Sequence, residues 1–288
     1  AAFITLPMFA GLIPDFESFD GDELLLLITS GAATACGLFY WAVRLRPVSK
    51  LGSRSSYRLP LYLAGLIGFL FLGRVVARWA DPQIRENSGY VLLVFLMGGA
   101  CLTVTGAGYP WLGISLREDA FEQRNSAAVL ALSGAILGVL ITYSGANIGT
   151  GPSFWNNVFS SLVATGTLLL IWAVLAVAGR AARSVVEERD SASGWRLGLL
   201  LTAESLIAGR AIAGDWASAA ATAQDFIRDG WPAGILCLFA LILERVLRPS
   251  VQNPRPSIVT HGIIPGFFYI IAALGWCAHL GAWEDLPK

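Results

Sequence analysis

Charged side chains are scarce in this sequence. Lys, Arg, Asp and Glu make up 14% of the 288 residues, while hydrophobic residues make up 55%. This balance is typical of membrane proteins rather than of soluble domains of the same length. The 20 basic and 20 acidic residues leave no net charge, so no electrostatic excess draws the chain to nucleic acid. We therefore expect a membrane protein with no nucleic-acid partner.

Residue patterns for metal binding or catalysis are also missing. The motifs Gly-x-Ser-x-Gly and His-Glu-x-x-His do not occur, which removes two common hydrolase patterns. Metal and redox sites usually show close pairs of cysteines, whereas the four cysteines here are single residues in apolar runs and are expected to act as small buried hydrophobes. We predict no enzymatic activity and no metal site, and the sequence leaves the cofactor unknown. The cysteines are Cys36, Cys101, Cys237 and Cys277.

Eight apolar segments are long enough to cross a bilayer. A hydrocarbon core about 30 Å thick needs about 20 apolar residues in a helix. Each segment is bounded by charge, proline or the Trp and Tyr residues found at membrane interfaces. The sequence therefore predicts an all-α polytopic membrane protein with about eight transmembrane helices. Their approximate ranges are 23–43, 59–78, 90–111, 127–143, 157–179, 196–214, 231–247 and 262–280.

Basic residues predict the orientation of these helices. If the N-terminus lies outside, the cytoplasmic loops contain fourteen of the twenty Lys and Arg residues, and such an excess marks the cytoplasmic side. The first 22 residues have no Lys or Arg, unlike a signal peptide. We expect residues 1–22 to be a non-cytoplasmic segment of the mature protein, residues 23–288 to be one transmembrane domain, and both termini to lie outside. The cytoplasmic loops would be 44–58, 112–125, 179–196 and 244–261.

A short motif recurs at one position relative to the membrane. Glu-Gln-Arg-Asn-Ser-Ala-Ala at 122–128 is echoed 65 residues later by Glu-Glu-Arg-Asp-Ser-Ala-Ser at 187–193. Arg-x-Ser also precedes the second and eighth predicted helices, at Arg54 and Arg255. Asn125 or Asp190, with the serine that follows it, can cap the next helix, whose first amides lack intrahelical partners. We predict four parallel helix-loop-helix repeats, at about 23–80, 90–145, 157–215 and 231–282.

Two of these copies resemble a known family. A loop ending Glu-x-Arg-Asn-Ser-Ala-Ala, then a Gly-rich helix at 129–138 and a second copy from Glu187, resembles the YjfL-like inner-membrane family, called domain of unknown function 350. The resemblance covers about residues 90–248. It implies a multi-pass protein of the bacterial inner (plasma) membrane, and it implies no activity or mechanism.

Three charged residues within predicted spans are candidate site residues. Glu204 falls near mid-membrane, where an ionisable group is costly and marks a candidate functional site. It predicts either a proton or cation site on an ion or solute path, or a neutral or paired carboxyl that holds helices together. Arg74 and Arg210 occupy matching positions in two repeats. They predict either a shared site for an anion or lipid headgroup beside that path, or side chains that extend to the interface.

The two histidines lie at opposite ends of the last predicted span. His261 and His279 are eighteen residues apart, or about 27 Å along a helix, so they cannot hold one haem or metal together. Each is either a single ligand to a separate pigment or quinone, or a hydrogen-bonded residue at the interface.

Paired small residues predict close helix packing. Gly134 and Gly138, and Gly262 and Gly266, have the four-residue spacing that lets two transmembrane helices approach closely. The packing partner is either another helix of this chain or a helix of another protein.

Three functions fit these observations. The first is a non-enzymatic structural or accessory subunit that packs against lipid and against other membrane protein subunits or itself. The second is an ion or small-solute channel or transporter with its site at Glu204. The third is a cofactor-bearing subunit of an energy-conversion complex that uses His261 or His279.

Overall fold

Helices form the framework of the described chain. The computed structural model describes Phe16 and residues 18–44 and 58–281. These ranges contain no β-strand, only a parallel bridge between Ala80 and Gly149, so the all-α prediction is confirmed. The α-helices are α1 (Gly21–Phe39), α2 (Leu59–Trp79), α3 (Pro82–Glu86), α4 (Ser88–Gly108), α5 (Ser126–Gly145), α6 (Phe154–Val177), α7 (Ala181–Val186), α8 (Ser191–Ile212), α9 (Ala219–Leu247) and α10 (Ile264–His279). Shorter helical turns are π-helical at Tyr40–Arg44, Leu116–Glu122 and Val259–Ile263, and 3₁₀ at Tyr109–Leu112.

Seven helices in the described ranges are long and apolar enough to cross a membrane. The chain thus has the helices of a multi-pass membrane protein. The sixth predicted span, 196–214, falls on α8, a 22-residue helix that is not among these seven because it is too polar. The seven are Gly21–Val43, Leu59–Trp79, Ser88–Leu112, Ser126–Gly145, Phe154–Val177, Ala219–Leu247 and Val259–His279.

Two helices begin earlier than predicted because polar residues cap them. The side chain of Asp190 accepts hydrogen bonds from the second and third amides of α8, which therefore starts at Ser191 rather than near 196. Ser218 accepts from the Ala221 amide at 3.1 Å, so α9 starts at Ala219 instead of 231. Capping residues fix a helix start even where the first turns are not apolar.

Some predictions fall on residues outside the described ranges. These include most of the N-terminal segment 1–22, most of the first loop 44–58 with its Arg-x-Ser at Arg54, and residues 282–288.

The long helices pack in two layers. One layer is the row α2, α5, α8 and α10, in which each helix contacts the next. In the other layer α1 packs on α4, and α6 packs on α9. Helices α5 and α8 lie at the centre, since most of their residues are buried. The hydrophobic core is therefore built around these two helices.

Small residues allow α5 and α8 to approach closely. A Cβ atom added at Gly134 would collide with the backbone of Gly198, and one added at Gly145 would collide with the backbone of Gly209. Gly138 also faces α8, with the Leu201 carbonyl 3.1 Å from the position of a Cβ. This is the geometry expected of small-residue contacts between transmembrane helices.

Glycine serves the same purpose between α8 and α10. A Cβ added at Gly262 would lie 2.8 Å from the Cα of Ala192, and one added at Gly266 would collide with the Leu199 side chain. The four glycines predicted to pack helices thus lie at contacts within this chain.

The loops before α5 and α8 have matching geometry. Arg124 and Arg189 have φ angles of 53° and 51°, in the left-handed region that few non-glycine residues adopt. The next residue in each loop, Asn125 or Asp190, caps its helix through two backbone amides. The serines that follow touch each other, with 3.1 Å between the Oγ atoms of Ser126 and Ser191. The 65-residue correspondence therefore extends to backbone conformation at the starts of α5 and α8.

Candidate functional site

Helix α8 carries buried polar groups along one side. Arg196, Glu204 and Arg210 are 0%, 0% and 5% exposed. Such groups are costly in a membrane interior unless they are paired or hydrogen-bonded. The partners of each one therefore decide what the helix can do.

A buried ion pair joins α8 to α9. The side chains of Arg196 and Glu244 are 0% and 3% exposed. Arg196 Nε donates to Glu244 Oε1 at 2.8 Å, and Nη2 donates to Oε2 at 2.9 Å. The guanidinium also donates to Ser193 Oγ at 2.9 Å and to the main-chain carbonyl of His261. Because both charges are matched and hydrogen-bonded, the pair is compatible with a buried location.

The carbonyl of His261 can accept from Arg196 because of a proline. In a regular helix the amide four residues later would donate to this carbonyl, but residue 265 is Pro and has no N–H. Pro265 lies in the first turn of α10, directly after the π-helical turn Val259–Ile263. The ion pair therefore ties the starts of α8 and α10 to the end of α9.

Glu204 has a different environment. Neither of its carboxylate oxygens has a hydrogen-bond partner. Its carboxyl interacts electrostatically with Cys237 of α9 and Tyr269 of α10. Tyr269 is also 0% exposed, and its hydroxyl also has no hydrogen-bond partner. Two polar side chains without hydrogen bonds thus lie in the interface of α8, α9 and α10.

The position of Glu204 along its helix differs slightly from the prediction. Since α8 starts at Ser191, Glu204 lies thirteen residues, or roughly 20 Å, from the start. Ile212, the last residue of the helix, is about 12 Å further on. Glu204 is therefore somewhat beyond the middle of α8.

Arg74 and Arg210 are not brought together. Arg210 Nη2 donates to the Leu280 carbonyl at 2.8 Å, just after α10 ends. Arg74 is exposed on α2, with its guanidinium carbon 5.8 Å from the centre of the Trp79 ring. Helix α5 lies between α2 and α8, which separates the two arginines. The structure shows Arg210 binding the end of a helix and Arg74 pointing outward.

The two histidines have local contacts. His261 Nδ1 is 2.8 Å from the hydroxyl of its neighbour Thr260, and its Nε2 is 3.5 Å from the Asn253 amide nitrogen. His279 is exposed, and its ring centre is 5.1 Å from that of Trp276. The two rings therefore lie at opposite ends of the last helical segment, and each contacts side chains close to it in sequence.

An apolar cleft separates α4 from α6. Aromatic contacts join the helices at both ends: the ring centres are 5.3 Å apart for Tyr90 and Phe154, and 5.1 Å apart for Tyr109 and Trp172. Between these contacts lies a cavity of about 640 Å³, with Tyr143 of α5 and part of α1 also in its wall. This volume is within the usual range for sites of small ligands.

The walls of this cleft contain many small residues. Ala100 and Cys101 of α4, and Ser161 and Gly166 of α6, are among the residues that line it. The Ser161 hydroxyl is buried and has no hydrogen-bond partner. Small residues of this kind normally let two helices touch, but here they line a gap.

A small polar pocket lies near the ends of α5 and α8. It has a volume of about 40 Å³ and is partly lined by the loops that follow these helices. Asp215 accepts hydrogen bonds from the amide and hydroxyl of Thr150, at 2.7 and 2.9 Å. The volume is enough for a water molecule, and it is too small for the drug-sized ligands that fill ordinary binding sites.

Sequence reasoning missed the Arg196–Glu244 pair. The two residues are 48 positions apart, and no spacing rule connects side chains from different helices. Both residues fall where a predicted span overlaps a predicted cytoplasmic loop, at the start of 196–214 and near the end of 231–247, so the sequence does not mark either as a charge deep in the membrane. A signal did exist, because Arg196 stands between Trp195 and Leu197 at the start of a predicted span.

Comparisons with protein-family models, curated proteins and solved structures find no match to this chain. The resemblance to the YjfL-like family therefore stays a prediction from the motif alone.

Proposed function

We propose that this chain is a non-enzymatic accessory or structural subunit of the bacterial inner membrane, which packs against lipid and also against other membrane proteins or further copies of itself. The α4–α6 cleft is the observation that carries the proposal. Two helix faces rich in small residues lie apart, although such faces normally receive another helix. A helical segment of a partner protein is the occupant that these faces favour.

The use of the charged groups also supports this function. Arg196 and Glu244 satisfy each other, and Arg210 binds the carbonyl of Leu280. These contacts join α8, α9 and the end of α10 into one body. Charged side chains here stabilise helix packing, which is what a subunit with a binding surface requires.

The proposal includes eight transmembrane helices in four parallel hairpins, with both termini outside. Helix α8 has 22 residues and is about 33 Å long, enough to cross the hydrocarbon core. It is covered by α5, α6, α9 and α10, so its charged residues need not face lipid. The matching loops before α5 and α8 and the excess of basic residues in the predicted cytoplasmic loops support the repeat and its orientation.

Photo-crosslinking from the cleft tests the function. A photoreactive amino acid at Leu162, in the wall of the cleft, should give a crosslink to one defined polypeptide when illuminated in native membranes. The control position is Leu66 on α2, which is similarly exposed, at 56% against 68% for Leu162, and should give only lipid adducts. A second copy of this chain would appear as a product of twice its mass. Lipid adducts alone at both positions would contradict the subunit proposal.

Cysteine accessibility tests the orientation. In a chain whose native cysteines are replaced, a cysteine at Ser153 should react with a membrane-impermeant reagent added outside intact cells. A cysteine at Ser250 should react only after the cells are opened. The reverse pattern would show that the orientation is inverted.

Transport of an ion or small solute is the second candidate function. Glu204 favours it, because a carboxyl without hydrogen bonds inside a helix bundle is a recurrent feature of ion pathways. In proteoliposomes that show flux with the wild-type protein, Glu204→Gln should change that flux. Equal flux in both proteins would exclude Glu204 from the pathway.

A further inference from the structure

Among the residues that the structure describes, no Lys, Arg or His side chain hydrogen-bonds to the Glu204 carboxyl. On its own helix, Arg196 binds the Glu244 carboxylate in a bidentate pair, and Arg210 donates to the Leu280 carbonyl. The Glu204 carboxyl interacts electrostatically with Cys237 and Tyr269, and neither of these side chains is a cation. A negative charge at Glu204 would therefore be uncompensated by the neighbours described.

The other helices packed on α8 do not change this balance. Helix α6 has no titratable side chain. In α5 the titratable side chain is Tyr143, whose hydroxyl donates to the Val94 carbonyl of α4 at 2.8 Å. In α9 and α10 the remaining groups lie towards the ends: Asp225, Arg228, Asp229, Glu244, Arg245, Cys277 and His279. In the short helix α7, Arg183 pairs with Glu187 at 3.0 Å.

We infer that Glu204 is a buried proton-binding site, which holds its proton in the resting protein and has the Tyr269 hydroxyl as its polar neighbour across the interface. An ionised carboxylate without a partner is strongly disfavoured in an apolar interior, and binding a proton removes the charge. The carboxyl and the phenol each carry a donor and an acceptor in this state. A protonated carboxyl and a phenol are therefore able to exchange a hydrogen bond, directly or through one water.

The chemistry of the site favours a proton over a metal cation. Hard cations take six or more oxygen ligands in most protein sites. Here the side chains that interact electrostatically with Glu204 are one phenol and one thiol, which supply far fewer oxygen ligands than such a cation takes. A proton needs only the carboxylate itself.

This inference concerns the same residue as the transport proposal, but it stands without flux. A site can bind a proton and simply hold three helices together, with its proton lost only when the helices separate. The experiment should therefore measure occupancy by the proton rather than movement of an ion.

Infrared spectroscopy of the purified protein in lipid measures this occupancy. At about pH 8, ordinary Asp and Glu side chains are ionised, so a C=O stretching band of a protonated carboxyl reports a buried neutral group. The wild type should show this band, Glu204→Gln should lose it, and Glu188→Gln, a change at an exposed acid, should keep it. Tyr269→Phe should keep the band and shift its frequency, because the polar neighbour is lost.

Two results would overturn the inference. One is a folded wild type without a protonated-carboxyl band at about pH 8, and this result does not depend on any variant folding. The other is a band that persists in Glu204→Gln. An unshifted band in Tyr269→Phe would remove Tyr269 from the site. A clear Glu204 band together with unchanged flux in Glu204→Gln would leave the proton site standing and reject transport.

Discussion

The Arg196–Glu244 pair should be the strongest single polar contribution to stability among the described residues. Glu244→Gln removes the negative charge and leaves the Arg196 guanidinium, whose side chain is 0% exposed, with a neutral partner. Two charge-assisted hydrogen bonds are weakened, each worth about 1.5–3 kcal/mol. Measured losses from breaking one side of a buried pair are about 3–5 kcal/mol. We expect a loss within that range.

Thermal unfolding in mild detergent is the assay. The ten tryptophans of the chain supply the fluorescence signal. For large domains each kcal/mol shifts the Tm by about 2–4 °C, so Glu244→Gln should lower the Tm by roughly 10 °C. The control is Glu187→Gln, which breaks the exposed pair with Arg183, where the side chains are 57% and 65% exposed. An exposed pair is worth about 0–1 kcal/mol, so this change should have little effect.

A double-mutant cycle separates the pair from its surroundings. Replacing both residues by apolar side chains, as in Arg196→Met with Glu244→Met, removes both charges. The double variant should be more stable than either single variant, because neither charge is left alone in the interior. Simple addition of the two single losses would refute the reasoning, and so would a Glu244→Gln protein as stable as the wild type.

Three further changes test the packing and the helix ends by the same unfolding assay. Gly134→Ala should lower stability by about 1–3 kcal/mol, because its Cβ would collide with Gly198. The control Gly65→Ala, with nothing within 4 Å of the added Cβ, should be neutral or stabilise the protein by about 0.5–1 kcal/mol. Equal losses of stability at both sites would contradict the close contact at Gly134. Asn125→Ala should cost about 1–2 kcal/mol, because the capping of two α5 amides is lost, and an unchanged Tm would refute it. Arg210→Met should increase hydrogen exchange at the end of α10 more than at its start, since the guanidinium no longer binds the Leu280 carbonyl. An equal increase at both ends of α10 would contradict this role of Arg210.

The sequence predicts the helices well where apolar runs are long. Each of the seven apolar spans overlaps a predicted segment, because the bilayer sets both the length and the composition of a crossing helix. Helix ends are less predictable. The starts of α8 and α9 depend on capping by Asp190 and Ser218, and these residues precede the hydrophobic run by several positions.

The candidate site is predictable only in part, because a sequence shows which charges are present but not what each one contacts. Glu204 was found from its place in an apolar run. Its lack of hydrogen-bond partners and the proximity of Tyr269 require the arrangement of α8, α9 and α10. Arg74 and Arg210 looked equivalent because they occupy matching positions. They differ in the structure because α2 is at one end of the helix row, whereas α8 is in the centre.

Pro265 affects a contact between two different helices. The sequence shows that residue 265 is Pro, so the His261 carbonyl has no amide donor four residues later. Only the packing of α10 on α8 reveals that Arg196 supplies the replacement. The proline thus creates an acceptor for a charge that lies on a different helix.

The polarity of α8 also bears on how the fold is assembled. A single charged residue at the centre of a lipid-exposed helix costs about 2.5–3.5 kcal/mol on insertion scales, and α8 carries Arg196, Glu204 and Arg210. Two of these gain their partners from residues that come later in the chain, since Glu244 lies on α9 and the Leu280 carbonyl follows α10. Helix α8 therefore gains these two partners only when α9 and the end of α10 have packed against it. The central helix is thus held in place by segments that follow it in the chain.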